Sequence, residues 1–159
     1  MMKNSNPVFI LQKEGSLEKS VSSFEISSCL DFYFIRYVSD EHLNLEEYLD
    51  HYLGGLKDST ILNKDENGWY ICMSKQEKTK LLLMQLDTIE NRIKMIRESC
   101  LDETYVKGGM VTLSSLTRFD DSTLVYLPEN DVGYMLTSFL TMRCDSDVKY
   151  YIRQVFNYN

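Results

Sequence analysis

Residues 79–99 read TKLLLMQLDTIENRIKMIRES, and the fold class turns on them. Taken as two strands about a turn near Ile89 to Asn91, they make the middle of the chain an unbroken series of sheet strands. Taken as a helix, they split that series. Leu, Met, Lys and Glu are good helix formers and favour the second choice. Ile93 and Met95, however, alternate with Arg92 and Lys94 at the period of a half-buried strand. Two strands are the preferred expectation.

On the N-terminal side, TILNKDENGWYICMS (60–74) predicts a strand pair about the turn signal Asn67-Gly68. Before it, NLEEYLDHYLGGLK (44–57) carries Leu45, Tyr48, Leu49, Tyr52, Leu53 and Leu56 on one helical stripe. Asn44 suits the N-cap, Glu47 lies three residues on, and Leu43 and Tyr48 hold the hydrophobic-staple positions. Glu46 and Glu47 sit in the first turn, where the helix dipole favours carboxylates. Gly54 and Gly55 weaken the far end. Earlier still, PVFILQ (7–12), SVSSFEIS (20–27) and LDFYFIRYV (30–38) read as strands, the last apolar on both faces as a central strand is.

On the C-terminal side, MVTLSSLT (110–117) and STLVYL (122–127) read as further strands, with Gly108-Gly109 and Asp120-Asp121 as breaks. Val132, Met135, Leu136, Phe139 and Leu140 then fall at helical spacing. Val148, Tyr151, Ile152, Val155 and Phe156 repeat that spacing, with Asp145 or Ser146 as cap. The expected class is α+β: a single antiparallel sheet of about six to eight strands, one helix after the first strands, and two C-terminal helices packed on it. With 159 residues, two prolines and seven glycines, a single domain over 1–159 is expected.

The formal charge of −7 is concentrated. Asp40, Glu41, Glu46, Glu47, Asp50, Asp58, Asp65 and Glu66 face only Lys57 and Lys64 across residues 40–66. Nucleic-acid binders carry the opposite sign, so DNA and RNA are excluded as expected partners. An acidic segment steers a protein partner, a basic one by its charge. No apolar run reaches the length of a secretory core or a membrane span, so no membrane partner is expected. Cys29, Cys72, Cys100 and Cys144 form no close pair of the kind zinc sites use. Scattered thiols without an export signal point to a reducing cytoplasm.

Both histidines, His42 and His51, lie in the acidic segment. Glu47 and His51 are i, i+4 neighbours on the side of the helix away from its apolar stripe. A metal needs three or four converging ligands, and a catalytic histidine needs an orienting partner in a dry cleft. The expectation here is a solvated helix face, with no metal, cofactor or catalytic residue. No GxSxG, Walker loop, GxGxxG or HExxH is present. Eleven tyrosines and one tryptophan supply stiff amphipathic contact area. Tyr150 and Tyr158 lie off the C-terminal stripe and are taken as exposed anchors. The expected partner surface is therefore Glu46, Glu47, Asp50, His51, Asp65, Glu66, Tyr150 and Tyr158.

The order of NLEEYLDHYLGGLK (44–57), GWYICMS (68–74), KLLLMQLD (80–87) and RIKMIRESC (92–100) after a strand pair resembles the PsbP-like and DcrB-like group of small α+β proteins. That resemblance spans roughly residues 20–115. It implies an accessory or chaperone-like binding protein, and no catalytic residue carries over. Together these readings predict a cytoplasmic protein-binding module of adaptor, chaperone-like or immunity type. The competing expectation is a small-molecule-binding or enzymatic α+β domain with a pocket between sheet and helices, holding a polar group such as Arg143, Arg36 or His51. A homo-oligomer through the C-terminal helix is a third.

Overall fold

Pro7 to Leu11 form an apolar run with no polar face, and it lies at the heart of a sheet. The computed structural model describes residues 6–22, 24–26, 44–99, 116 and 123–158. Strand β1 (Asn6–Lys13) is flanked by β6 (Tyr150–Tyr158), antiparallel, and by β4 (Leu124–Leu127), parallel. With β2 (Leu62–Asp65), β3 (Gly68–Ile71) and β5 (Val132–Met135) the order is β2-β3-β6-β1-β4-β5. The chain divides into two compact units, residues 1–75 with 121–159, and residues 76–120. The sheet belongs to the first.

Strand pleating puts alternate residues on opposite faces. On one face Val8, Ile10, Leu124, Tyr126 and Phe156 cluster with Val21 and Ile26. The alternate residues of the same strands, Phe9, Leu11, Val125, Val155 and Tyr150, are equally buried, so the central strands are covered on both sides. Between Ile10 and Leu11 the pairing slips: Ile10 opposes Gln154 and Leu11 opposes Ile152, leaving Arg153 as a bulged extra residue. Arg153 turns outward, donating from Nε to Gln12 (2.7 Å) and from Nη1 to the Asn67 carbonyl (2.9 Å).

Helix α1 (Leu45–Tyr52) forms as the periodicity predicts. The Asn44 side chain accepts from the Glu46 amide at 3.1 Å, and Tyr48 and Leu49 are buried. The helix breaks at Leu53, and Gly54–Lys57 make a separate turn, α2. The β2–β3 hairpin is also as expected. Asp65 pairs with Gly68, and the Asp65 carboxylate accepts from the Asn67 amide at 2.8 Å. Gly68 has φ +113°, a conformation only glycine adopts without strain.

The fold class needs correcting in several places. The sheet is mixed, not antiparallel, because β1 and β4 run parallel. Residues 79–99 are not two strands but part of one helix, α3 (Lys75–Ser99), of 25 residues with no glycine or proline. Summed helix propensity outweighed the short alternation around Ile93. The two expected C-terminal helices are not found as such: only a short helical part of the first forms, and the second is a strand. Val132–Met135 is strand β5, followed by a three-residue helix α4 (Leu136–Ser138) and a π turn (Phe139–Arg143). The last segment is β6, whose aromatic and β-branched run suits a strand buried on both faces. Nor do the described residues of the segment 20–27 form a strand. Ser22 and Glu25 form a reciprocal capping box, with Glu25 Oε2 accepting from the Ser22 amide at 2.9 Å and Ser22 Oγ from the Glu25 amide at 3.3 Å. Residues 24–26 are accordingly a helical turn. The strands expected over 30–38 and 110–117 lie outside the described residues, apart from Leu116, as do the breaks at 108–109 and 120–121, the staple residue Leu43, and His42 and Arg36.

Candidate functional site

Three acidic residues of α1 and the following hairpin, Glu46, Asp50 and Asp65, are paired. Glu46 Oε1 accepts from Trp69 Nε1 at 2.8 Å and lies 3.7 Å from Lys64 Nζ. Asp50 pairs with Lys57. The Lys57 and Lys64 ammonium groups lie 4.8 and 5.5 Å from the Trp69 ring centre. Asp65 Oδ2 accepts from Lys149 Nζ at 2.8 Å and from the Tyr151 hydroxyl at 2.9 Å. The Lys149 hydrogen bond holds the Asp65 carboxyl below the usual range, and Asp65 in turn pushes Lys149 up. Glu47, Glu66 and His51 are exposed. His51 packs edge-on to Tyr52 (4.5 Å), and no ion pair joins it to Glu47 among the described residues.

Tyr150 is no surface anchor. It is 2% exposed, because a strand places on the sheet interior what a helix would have left outside. Tyr158 pairs with Asn6 at the end of β6. Of the expected partner surface, Glu46 and Asp50 are thus paired but exposed, Asp65 is engaged by Lys149 and Tyr151, and Tyr150 is buried.

Tyr150 lies at the floor of a cleft of about 250 Å³. The topology explains its place. Parallel strands β1 and β4 both end there, with Lys13 and Leu127, and antiparallel β6 begins there, with Tyr150 opposite Lys13. Clefts in open sheets collect at the carboxyl ends of parallel strands. One wall is the β4–β5 connection. Pro128 takes the second position of a turn closed by the Asn130 amide on the Leu127 carbonyl (3.2 Å), and Asp131 follows at φ 52°. The Tyr126 hydroxyl donates to the Asp131 carboxylate and anchors that turn. The other wall is the π turn, defined by the Cys144 amide on the Phe139 carbonyl at 2.8 Å. Phe139 points inward, edge-on to Tyr150 at 5.1 Å, while Met142 and Arg143 project into the cleft. Such one-turn π segments recur at functional sites.

Asp145 is the hub of the floor. Its Oδ2 accepts from Lys13 Nζ (2.7 Å) and from the Tyr150 hydroxyl (3.3 Å), and its amide donates to the Tyr150 oxygen (3.1 Å). Burial pushes the Tyr150 phenol up, and the Asp145 hydrogen bond pushes Lys13 up. Arg143 lies 5.5 Å from the Tyr134 ring centre, and Glu129 stands on the turn opposite. Among the described residues no three His, Cys, Asp or Glu are placed to hold a metal ion. Of the cleft residues, the sequence reading picked out only Tyr150, for another role, and Arg143, as a pocket-lining polar group. The turn signal Leu127-Pro128-Glu129-Asn130-Asp131 was there to be read, but the helical stripe after it took precedence.

The second unit presents a different surface. Along α3, Leu82, Leu83, Met84, Leu86 and Met95 are 52, 55, 65, 44 and 61% exposed, and none of the helix's described side chains is buried. Leu82, Leu86, Ile89, Ile93 and Ile96 are spaced alternately by four and three residues, which is the seam of a two-helix packing. No helix among the described residues is long and apolar enough to cross a membrane.

No family model, no curated protein and no solved structure matches this chain.

Proposed function

We propose that the chain is a cytoplasmic protein-binding module of adaptor, chaperone-like or immunity type, and that the apolar seam of α3 receives a helix of its partner. The observation that carries this reading is the run of large apolar side chains left in water on one helix, with Leu82 and Leu86 half-exposed. Leu82, Leu83 and Leu86 adjoin on the helix, and adjoining large apolar side chains in water mark interaction sites. The four-three spacing suits knobs-into-holes packing against another helix, and the exposed Leu83 beside it extends the apolar surface. Cysteine spacing without close pairs supports the cytoplasmic placement.

Flanking charges narrow the partner. Beside the seam, Lys78, Arg92 and Arg97 outnumber Glu90. A parallel copy of the same helix would set Arg92 against Arg97 of its neighbour and repel. A helix with carboxylates at its own flanking positions fits better. The acidic segment favours a second reading, a basic partner at the exposed Glu47, Asp58 and Glu66.

Capture from a lysate of the protein's own source separates the two. Leu82→Glu with Leu86→Glu is expected to abolish a stoichiometric partner, while Glu47→Gln with Asp58→Asn and Glu66→Gln leaves it bound. The reverse pattern moves the site to the acidic segment. A partner indifferent to both sets, or none at all, refutes the proposal.

A further inference from the structure

We infer that the cleft between the ends of β1 and β4 and the π turn binds a free α-amino acid with an apolar side chain, as the zwitterion. The inference is independent of the α3 seam and concerns residues of the first unit. Four charged side chains line the cleft, and they divide into two kinds. Lys13 and Asp145 satisfy each other at 2.7 Å, with Tyr150 locking the carboxylate from below. Arg143 and Glu129 form no ion pair among the described residues, and they carry opposite signs.

That pairing selects against singly charged ligands. A plain carboxylate gains from Arg143 but meets Glu129 and Asp145. A plain amine gains from Glu129 but meets Arg143 and Lys13. A zwitterion answers both rim charges at once. The guanidinium, steadied 5.5 Å from the Tyr134 ring, offers the planar fork that takes a carboxylate through two hydrogen bonds. Leu127, Tyr134 and Met142 supply apolar surface for the side chain. A volume of about 250 Å³ lies just below the roughly 300–1,000 Å³ of sites for drug-sized ligands, which suits a molecule the size of a single amino acid.

The test is calorimetric titration of the full chain with L-phenylalanine, 3-phenylpropionate and 2-phenylethylamine, which share the phenylethyl skeleton and carry both charged groups, the carboxylate alone or the ammonium alone, with L-leucine as a second zwitterion. The zwitterions are expected to bind about tenfold or more tightly than either singly charged analogue. Arg143→Gln is expected to abolish the advantage of phenylalanine over the amine, and Glu129→Gln its advantage over the carboxylate. Both positions are exposed, and an unchanged far-ultraviolet dichroism spectrum checks that each variant folds. Equal binding of all three phenyl compounds, an advantage that survives both substitutions, or no heat from either amino acid would overturn the inference.

Discussion

Asp65 illustrates how much of a residue's role depends on partners far along the chain. Its turn-forming bond to the Asn67 amide is local and follows from the Asp-Glu-Asn-Gly motif, but Lys149 and Tyr151 reach it from 84 and 86 residues away. Composition alone therefore counted it as free surface charge. The folded state holds its carboxyl below the unfolded value, so the pair contributes fully above that value, about 3.9. The contribution is lost as pH falls through the folded value. Asp65→Asn is expected to destabilise the protein at pH 7, with the gap from wild type closing as pH drops below about 4. Urea midpoints at pH 7, 5 and 3 measure it; a gap that stays constant or widens in acid would contradict the assignment. Asn44 is the opposite case: its cap on Glu46 depends on residues two apart and was readable from the start.

At the scale of elements, α1 and the β2–β3 hairpin were legible because periodicity, cap and turn chemistry agree within a dozen residues. β6 was not. Tyr150, Tyr151, Ile152, Val155 and Phe156 are all buried, and a strand covered on both faces presents enough apolar positions to mimic a helical stripe. Likewise the strand reading of α3 rested on four residues, against a helical seam that runs from Leu82 to Ile96. The π turn left no signature, since its register depends on Phe139 seating against Tyr150. These two elements should respond to mutation in opposite ways. Phe139→Ala removes a fully buried ring and is expected to cost about 3–5 kcal/mol. Leu82→Glu changes a half-exposed side chain and is expected to stay within about 0.5 kcal/mol. Denaturant unfolding of both variants decides it; a large loss at Leu82 would mean the α3 seam is core.

For the molecule as a whole, the decisive feature is one that no local pattern announces: β1 and β4, more than a hundred residues apart, lie side by side and parallel. That pairing brings Lys13, Leu127 and Tyr150 to one edge and creates the cleft, which is why the site residues scattered along the sequence were not recognised together. The second unit contributes the other surface, a helix on whose seam Leu82 and Leu86 are exposed. The central claim, that this seam is where a partner docks, is tested most directly by amide hydrogen exchange of the full chain, alone and in its purified complex. Docking on the seam predicts slowed exchange confined to residues 79–97, with residues 44–66 unchanged. Protection of 44–66 with α3 exchanging as before would contradict it and return the partner to the acidic segment.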